Sequence, residues 1–435
     1  MSQSSQDRLP RSSRAGMIGA AIVIFALLAG PAFIFVNLPQ SISPTTPTNS
    51  PTNSPTNTPT SALVPTQIPS PTPVGVPGVS WTNASAEFSG VDFVGAAQIG
   101  TSLVVVGNPP ETSAYSDPTI AIYDGSTWTT VKTSPVFANS RIDWLINVPG
   151  ALLAVGESTL PDPDCPTAGA DPNGCIPMQA TLMWTSPDGQ AWFPLAASEL
   201  APFKRVWIVT MGAGTDGLIA YGVYSPIIHT NKQPISDVVL RSTDGITWTS
   251  YKPTGTAMGP TGVWAQDITS TSSGFVAIGT DGKTWSSTNG QAWKAANTPT
   301  PGSDLWPGRN IAVAKDGMLA GSQGWWATVA ATSSDLVIGP LWTSADGHTW
   351  TSAQWATPGG APLIFAGDGM RIVALGASGS NVYWTTDAKT WISGPSLGTP
   401  PTATDMANAT PDTWLLPSWV VVTGAAYLYI GSITG

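Results

Sequence analysis

The chain has 435 residues and carries 16 Lys and Arg against 26 Asp and Glu, a formal net charge of −10. That balance speaks against nucleic acid as a partner, because binding phosphates needs a basic surface that displaces their counterions; acidity of this kind instead keeps an exported domain soluble. All 20 Trp lie at or beyond Trp81, so the length divides into appendages and one large repeat domain rather than two or three equal ones.

Residues 1–14 are polar, carry Arg8, Arg11 and Arg14, and are expected in the cytoplasm. Residues 15–38, AGMIGAAIVIFALLAGPAFIFVNL, contain no charge. At about 1.5 Å per residue they span a hydrocarbon core of about 30 Å, which predicts a transmembrane signal-anchor helix. The usual cleaved leader has a shorter apolar stretch, and it is the alternative. Leu28-Ala29-Gly30 resembles a lipoprotein signal, but Pro31 stands where the lipid-bearing Cys would be. The next cation after the segment is Lys132, so the positive-inside rule puts everything beyond Leu38 outside a cell membrane crossed once.

Residues 39–79 are rich in Pro, Thr, Ser and Asn, with Pro-Thr-Asn-Ser at Pro47 and Pro51 and Pro-Thr-Asn-Thr at Pro55. Such a segment buries no apolar surface and is expected to be a disordered, extended stalk.

Residues 80–435 contain an internal repeat. Six segments place an acidic or amide residue four positions before a Trp: Asp124 with Trp128, Asp188 with Trp192, Asp244 with Trp248, Asn289 with Trp293, Asp346 with Trp350, and Asp387 with Trp391. The Trp-to-Trp intervals of 64, 56, 45, 57 and 41 residues suit one propeller blade each. Apolar or β-branched runs flank each turn, Asp-Gly supplies left-handed backbone values, and the Trp is expected to pack between neighbouring sheets. Upstream apolar runs at Leu103–Gly107, Leu152–Gly156, Leu218–Gly222, Phe275–Gly279, Met318–Gly321 and Ile372–Gly376 predict the second strand of each blade.

The turns resemble the Asp-box (sialidase-type, BNR) repeat family, whose pattern reads Ser-x-Asp-x-Gly-x-Thr-Trp; here it is Ser-x-Asp-Gly-x-Thr-Trp, one residue shorter. Photosystem II assembly-factor-like and sortilin-like propellers are similar at the same coarse level. The resemblance implies an all-β propeller and gives the six Asp or Asn residues and their Trp a structural role, since such boxes lie away from the family's catalytic centre. The chain ends in YLYIGSITG, where Ser432, Thr434 and Gly435 are read as a truncated seventh turn. Trp81 would then join the last blade beside Tyr427–Ile430 and close a seven-bladed ring. Thr404–Thr423 does not parse into two strands, and six blades is the alternative.

No catalytic residue is assigned. A sialidase holds its substrate with three Arg, a Tyr–Glu pair and an acid/base Asp. The propeller has only Arg141, Arg205, Arg241, Arg309 and Arg371, and only Glu87, Glu111, Glu157 and Glu199. None of these Arg stands in the family's Arg-Ile-Pro context.

Cys165 and Cys175 are expected to form a disulfide closing a loop outside the cell. Asp162, Asp164, Asp171 and Asn173 crowd that loop and could hold calcium, but it reads as a solvated acidic loop, with no metal and no cofactor expected. The stretches Asn108–Pro118, Glu157–Gln179, Ser225–Ser236 and Ser322–Gly339 are read as insertions between second and third strands, on the face opposite the Asp turns. They carry the candidate ligand contacts Trp325, Trp326 and His229. The function expected is a binding or scaffold module for glycan or protein partners without turnover. The alternative is a sialidase-like glycoside hydrolase with degenerate motifs.

Overall fold

The computed structural model describes residues 77–109, 117–133, 135–160, 179–214, 216–224, 236–255, 265–279, 283–297, 309–322, 341–353, 362–376, 381–397, 412–424 and 427–434. Residues 1–76, which hold the segment expected to span a membrane and most of the expected stalk, lie outside them, as do Cys165, Cys175, His229, Trp325 and Trp326; Gly78 and Val79, expected to end the stalk, instead open the first strand, because their backbone pairs with the last strand of the ring.

The first strand, β1 (Gly78–Asn83), belongs to the last blade. Blade 1 holds β2 (Asp92–Ile99), β3 (Ser102–Asn108), β4 (Thr119–Tyr123) and β5 (Trp128–Val131). Blade 2 follows with β6 (Ser140–Val148), β7 (Ala151–Ser158), β8 (Thr181–Ser186) and β9 (Phe193–Pro194). Blade 3 comprises β10 (Val206–Gly214), β11 (Gly217–Tyr224), β12 (Ser236–Ser242) and β13 (Thr249–Tyr251). The two-residue β14 (Thr254–Gly255) then pairs in parallel with the outer strand of blade 4.

Blade 4 itself is β15 (Ala265–Thr271), β16 (Gly274–Gly279), β17 (Thr284–Ser287) and β18 (Ala292–Ala295). Blade 5 contains β19 (Arg309–Val313), β20 (Met318–Ser322), β21 (Leu341–Ser344) and β22 (Thr351–Ser352). Blade 6 contains β23 (Pro362–Gly367), β24 (Ile372–Gly376), β25 (Val382–Thr385) and β26 (Ile392–Ser393). Blade 7 contributes β27 (Asp412–Leu415), β28 (Trp419–Gly424) and β29 (Tyr427–Thr434), and β1 completes it at the outer edge.

The fold is therefore a seven-bladed β-propeller. First strands of successive blades pack on one another around the whole ring, including β27 on β2, so they line its axis. The six second strands match the predicted apolar runs. Their composition follows from position: each lies between two other strands and two other blades, so β3 and β7 are buried along nearly their whole length. Thr404–Thr423 does contain strand, and β27 and β28 are joined by a tight turn in which Trp419 NH and Leu416 O bond at 3.3 Å.

Among the described residues the core is seven clusters, one at each junction between blades. Each receives a tryptophan at or just before the outermost strand of the following blade, and three take a second from its third strand, Trp184, Trp285 and Trp342. Trp192 enters the junction of blades 1 and 2 beside Val104 and Ile120, and Trp248 that of blades 2 and 3 beside Leu153 and Val155. Trp293, Trp350 and Trp391 do the same at the next three junctions, and Trp128 at the junction of blades 7 and 1. Blade 7 has no Asp turn, and Trp81 supplies its wedge against blade 6. A flat ring of this size fills the gap between two twisted sheets, which explains why one Trp recurs per blade.

Ring closure follows the expected layout, with Trp81 opposite Gly431, just past Ile430. The expected seventh turn is corrected. Tyr429 and Ile433 of β29 face blade 6, whereas Leu428 and Ile430 face blade 1. Ser432 therefore faces blade 1, while the serines of the true turns share a side with the residues facing the preceding blade. Thr434 continues the strand opposite Gly78 instead of turning. The two chain ends of the ring meet where the seventh turn would be.

Candidate functional site: the face opposite the Asp turns

Every strand pairing within the blades is antiparallel, so the connections alternate between two faces. One face carries the turns from first to second and from third to fourth strands, and the Asp turns are the latter. The other carries the links from second to third strands and from each blade to the next.

The Asp turns are closed hydrogen-bond systems. In blade 2, Asp188 Oδ1 accepts the amides of Gln190 and Ala191, both at 2.8 Å. Ser186 Oγ accepts from Gly189 N at 2.8 Å, and Trp192 Nε1 donates to Gly189 O at 2.9 Å. Blades 3, 4 and 5 repeat this set around Asp244, Asn289 and Asp346. Gly189 has φ +77, and a Cβ there would lie 2.9 Å from Val104 of blade 1, so glycine is required both for the turn and for its seat on the neighbouring blade. Blade 6 departs from the pattern: Ala388 takes the left-handed position at φ +58, and Thr385 replaces the serine. In blade 1, Asp124 accepts from Ser126 and Thr127 through backbone and hydroxyl alike.

These bonds set the acidity of the carboxylates. The Ala191 amide holds Asp188 below the usual carboxylate range, the Thr349 amide does so for Asp346, and the Thr127 amide for Asp124. At Asp244 and Asp387 burial pushes upward, and the amides and hydroxyls of the turn outweigh it. A carboxylate held this way stabilises a turn and has no proton to exchange at neutral pH. The sequence-predicted Asp and Trp residues are thus brought onto one face as structure.

The opposite face receives the long stretches. The chain leaves β3, β7, β11 and β20 and returns at β4, β8, β12 and β21 after residues 109–118, 159–180, 225–235 and 323–340, as the sequence indicates. The corresponding links in blades 4, 6 and 7 are short, so the long links begin and end in blades 1, 2, 3 and 5.

Several groups at this face were not visible in the sequence. Asn108 is buried and clamps blade 1 to blade 2, accepting from Ile142 N at 3.0 Å and donating to Ile142 O at 2.6 Å. Asp267, at a bulge in β15, accepts Ile311 N of blade 5 at 2.7 Å. In blade 3 the buried Tyr221 donates its hydroxyl to the buried Asp237 at 2.6 Å. Burial pushes the Asp237 carboxyl up despite that bond, and burial together with the adjacent carboxylate pushes the Tyr221 hydroxyl up.

A second repeated device also sits here, in the connectors entering blades 1, 2 and 3. Phe88 meets Trp128 edge-on at 4.8 Å, Phe137 meets Trp192 at 5.7 Å, and Phe203 meets Trp248 at 5.2 Å. Two residues after each Phe the backbone is left-handed: Gly90, Asn139 and Arg205. The segments FSGVDF, FANSRI and FKRVWI carry this signal.

At the junction of blades 2 and 3, Arg141, Glu157 and Thr181 lie side by side across β6, β7 and β8. Arg141 Nε is 3.4 Å from Asp143 Oδ1, and the Gln179 amide, turned with its nitrogen inward, donates to the Glu157 carboxylate. Thr181 Oγ1 donates to Val206 O of blade 3 at 3.5 Å.

No family model matches the chain, and no curated protein matches it. Solved structures do resemble it. One is virginiamycin B lyase from Staphylococcus aureus, 11% identical with a TM-score of 0.48, covering 83% of this chain and 100% of that one. Another is the α-L-arabinofuranosidase of Fusarium graminearum, 13% identical with a TM-score of 0.39, covering 79% and 93%. A mutant of Trypanosoma rangeli sialidase is 12% identical with a TM-score of 0.33, covering 72% of this chain and 56% of that one. The propeller stands on the strand pairings above. Likenesses at this level bring no activity to the chain.

Proposed function

We propose that this chain is an Asp-box propeller held outside the cell by its N-terminal anchor and stalk, acting as a binding or scaffold module whose partners, glycan or protein, dock on the insertion face. One observation carries the reading. The chain enters the ring at Gly78, opposite Thr434, on the Asp-turn face, whereas the four long insertions leave from the other face. A stalk joined at that point presents the insertions away from its anchor. The Asp-turn face is closed by its own hydrogen bonds, and long loops on a rigid scaffold are where recognition is built.

The test is a glycan array and a panel of fluorogenic glycosides applied to the full chain in detergent. Capture of at least one ligand is expected, weakened by Trp325→Ala with Trp326→Ala and unaffected by Asp346→Asn. Hydrolysis of any glycoside above background, abolished by substituting a single carboxylate, would replace binding with turnover.

A further inference from the structure

Blades 4 and 5 share a device at their outer edge. After β13 the chain crosses to blade 4, where Thr254 N donates to Gln291 O at 2.9 Å and β14 pairs in parallel with Ala292 and Trp293. After β18 it crosses in the same way to blade 5. There Asn297 N donates to His348 O at 2.9 Å, and Asn297 O accepts from Trp350 N at 3.1 Å. Gln291 and His348 each stand two residues after the Asn or Asp of their turn, so the two latches meet equivalent backbone groups. They cover a stretch of edge that would otherwise offer bare donors and acceptors.

Blades 2 and 3 carry the same groups without a latch. The connectors entering them curl into turns instead. Phe137 N donates to Thr133 O at 3.1 Å in one, and Leu200 N to Ala196 O at 3.1 Å in the other. Among the described residues nothing bonds the equivalent pairs, Gln190 O with Trp192 N and Ile246 O with Trp248 N. Gln190 is exposed, whereas its counterpart Gln291, beside a latch, is half-buried.

The chain holds further copies of the latch sequence. Residues 253–256 read PTGT and residues 297–300 read NTPT. In the stalk, PTNS recurs at Pro47 and Pro51, PTNT stands at Pro55, and residues 57–60 again read NTPT. Such segments suit the edge, because one residue supplies both N–H and C=O, as Asn297 does. Flanking prolines then forfeit no bond, and each holds the residue before it extended. Residues 61–77 span about 50 Å at about 3.1 Å per residue. A ring four strands deep, at about 4.8 Å between strands, is about 40 Å across, so either edge lies within reach of Gly78. A segment parallel to β9 or β13 also runs away from the Asp-turn face, so its N-terminal end arrives from the side on which the chain enters the ring.

We propose that the Pro-Thr-Asn repeats of the stalk, residues 47–60, dock on the vacant outer edges of blades 2 and 3 as latches of the same chain. The stalk then adds main-chain bonds to an edge strand, the mode in which extended peptides join sheets. The tether is held at two places on the rim, which sets how the insertion face is turned relative to the anchor. This rests on the proposed stalk and adds where the ring holds it.

The experiment uses the full chain in dilute detergent solution, with the photo-cross-linking residue p-benzoylphenylalanine replacing Phe193 or Ile246, both exposed beside the vacant edges. A third variant replaces Lys294, the counterpart of Phe193 beside the latch of blade 4, and is expected to capture residues 252–256. Mass spectrometry of the cross-linked peptides should show residues 47–60 captured from position 193 or 246 within one chain. No capture of that segment from either position would overturn the dock, as would capture only between chains, seen as cross-linked dimers. Hydrogen exchange supplies a second reading. The Trp192 or Trp248 amide should exchange about fivefold more slowly in the parent than in a chain whose residues 47–60 are replaced by a Gly-Ser segment of equal length. The Trp350 amide, already latched, should not change. Equal rates at both Trp192 and Trp248 would also overturn the dock. Glycan or protein capture by the insertion face is measured separately and involves neither edge, so the dock and the binding role fail independently.

Discussion

Trp81 lies opposite Gly431 in the outer strand pair of blade 7, and its indole N–H donates to the carbonyl of Pro395 in blade 6 at 3.1 Å. The N-terminal strand of the ring thereby holds both the C-terminal strand of its own blade and the exit of the preceding one. A Cβ on Gly431 would sit 2.6 Å from Val79 and 2.9 Å from Trp81, so that close approach depends on glycine.

Trp81→Ala is expected to destabilise the propeller by about 2–4 kcal/mol, below the full cost of a buried Trp because the ring is half-buried. Gly431→Val is expected to cost about 1–3 kcal/mol through overpacking. Urea denaturation of the full chain checks both, and an unchanged midpoint in Trp81→Ala would contradict a closure that depends on this residue.

Asn289 makes the same amide bonds in blade 4 that Asp346 makes in blade 5, at 2.9 and 3.0 Å against 2.8 and 2.7 Å. Near pH 7, Asp346→Asn should therefore stay within about 1 kcal/mol of the parent, whereas Asp346→Ala, which leaves two turn amides without their acceptor, should lose about 1–3 kcal/mol. Asp346 is held below its ordinary range, so its charge contributes stability above the unfolded carboxyl pKa, and that contribution is lost as pH falls through the lower folded value. Melting measured from pH 7 down to pH 2 should show a shallower acid limb in Asp346→Asn.

The Tyr221–Asp237 pair has the opposite sign. Its carboxyl is raised in the folded state, so the folded protein holds the proton more tightly than the unfolded chain. Stability is then lost as pH rises from the unfolded carboxyl value of about 4 through the folded one. Asp237→Asn keeps an oxygen for the Tyr221 hydroxyl and removes the charge. It should raise the melting temperature near pH 7 and flatten the loss above pH 4. A variant that is less stable than its parent at pH 7 would show the charge to be favourable where it stands.

Much of the ring was legible because its main signals are local. The Asp turn compresses a glycine, a carboxylate and a Trp into seven residues, and the second strands are short unbroken apolar runs. Blade 7 was harder: the chain ends replace its turn, so no Asp turn flags Asp412–Leu415 and Trp419–Gly424, although Trp419–Val422 is an apolar run like the other second strands, and Ser432 imitates a turn serine from the wrong side of β29. Tyr221 and Asp237 meet only through the register that sets Val223 opposite Asp237, which no spacing reveals. The left-handed backbone of Arg205 is a property of one residue and leaves no compositional mark. The phenylalanine connectors were within reach of the sequence, since FSGVDF, FANSRI and FKRVWI align without a gap.

The proposed display on a stalk makes a further prediction. The segment before Gly78 joins the ring at the outer edge of blade 7, where β1 is paired on one side only among the described residues. Protease added to intact cells should cut the stalk and release a domain that keeps β1, because six residues of β1 are paired from Gly78 to Asn83 and protected in the sheet. The released fragment should begin shortly before Gly78 and melt at the same temperature as the anchored protein. Cleavage within β1 instead, with a fragment of lowered melting temperature, would mean the ring opens at its seam. Protection of the whole domain until the cells are lysed would place the propeller inside.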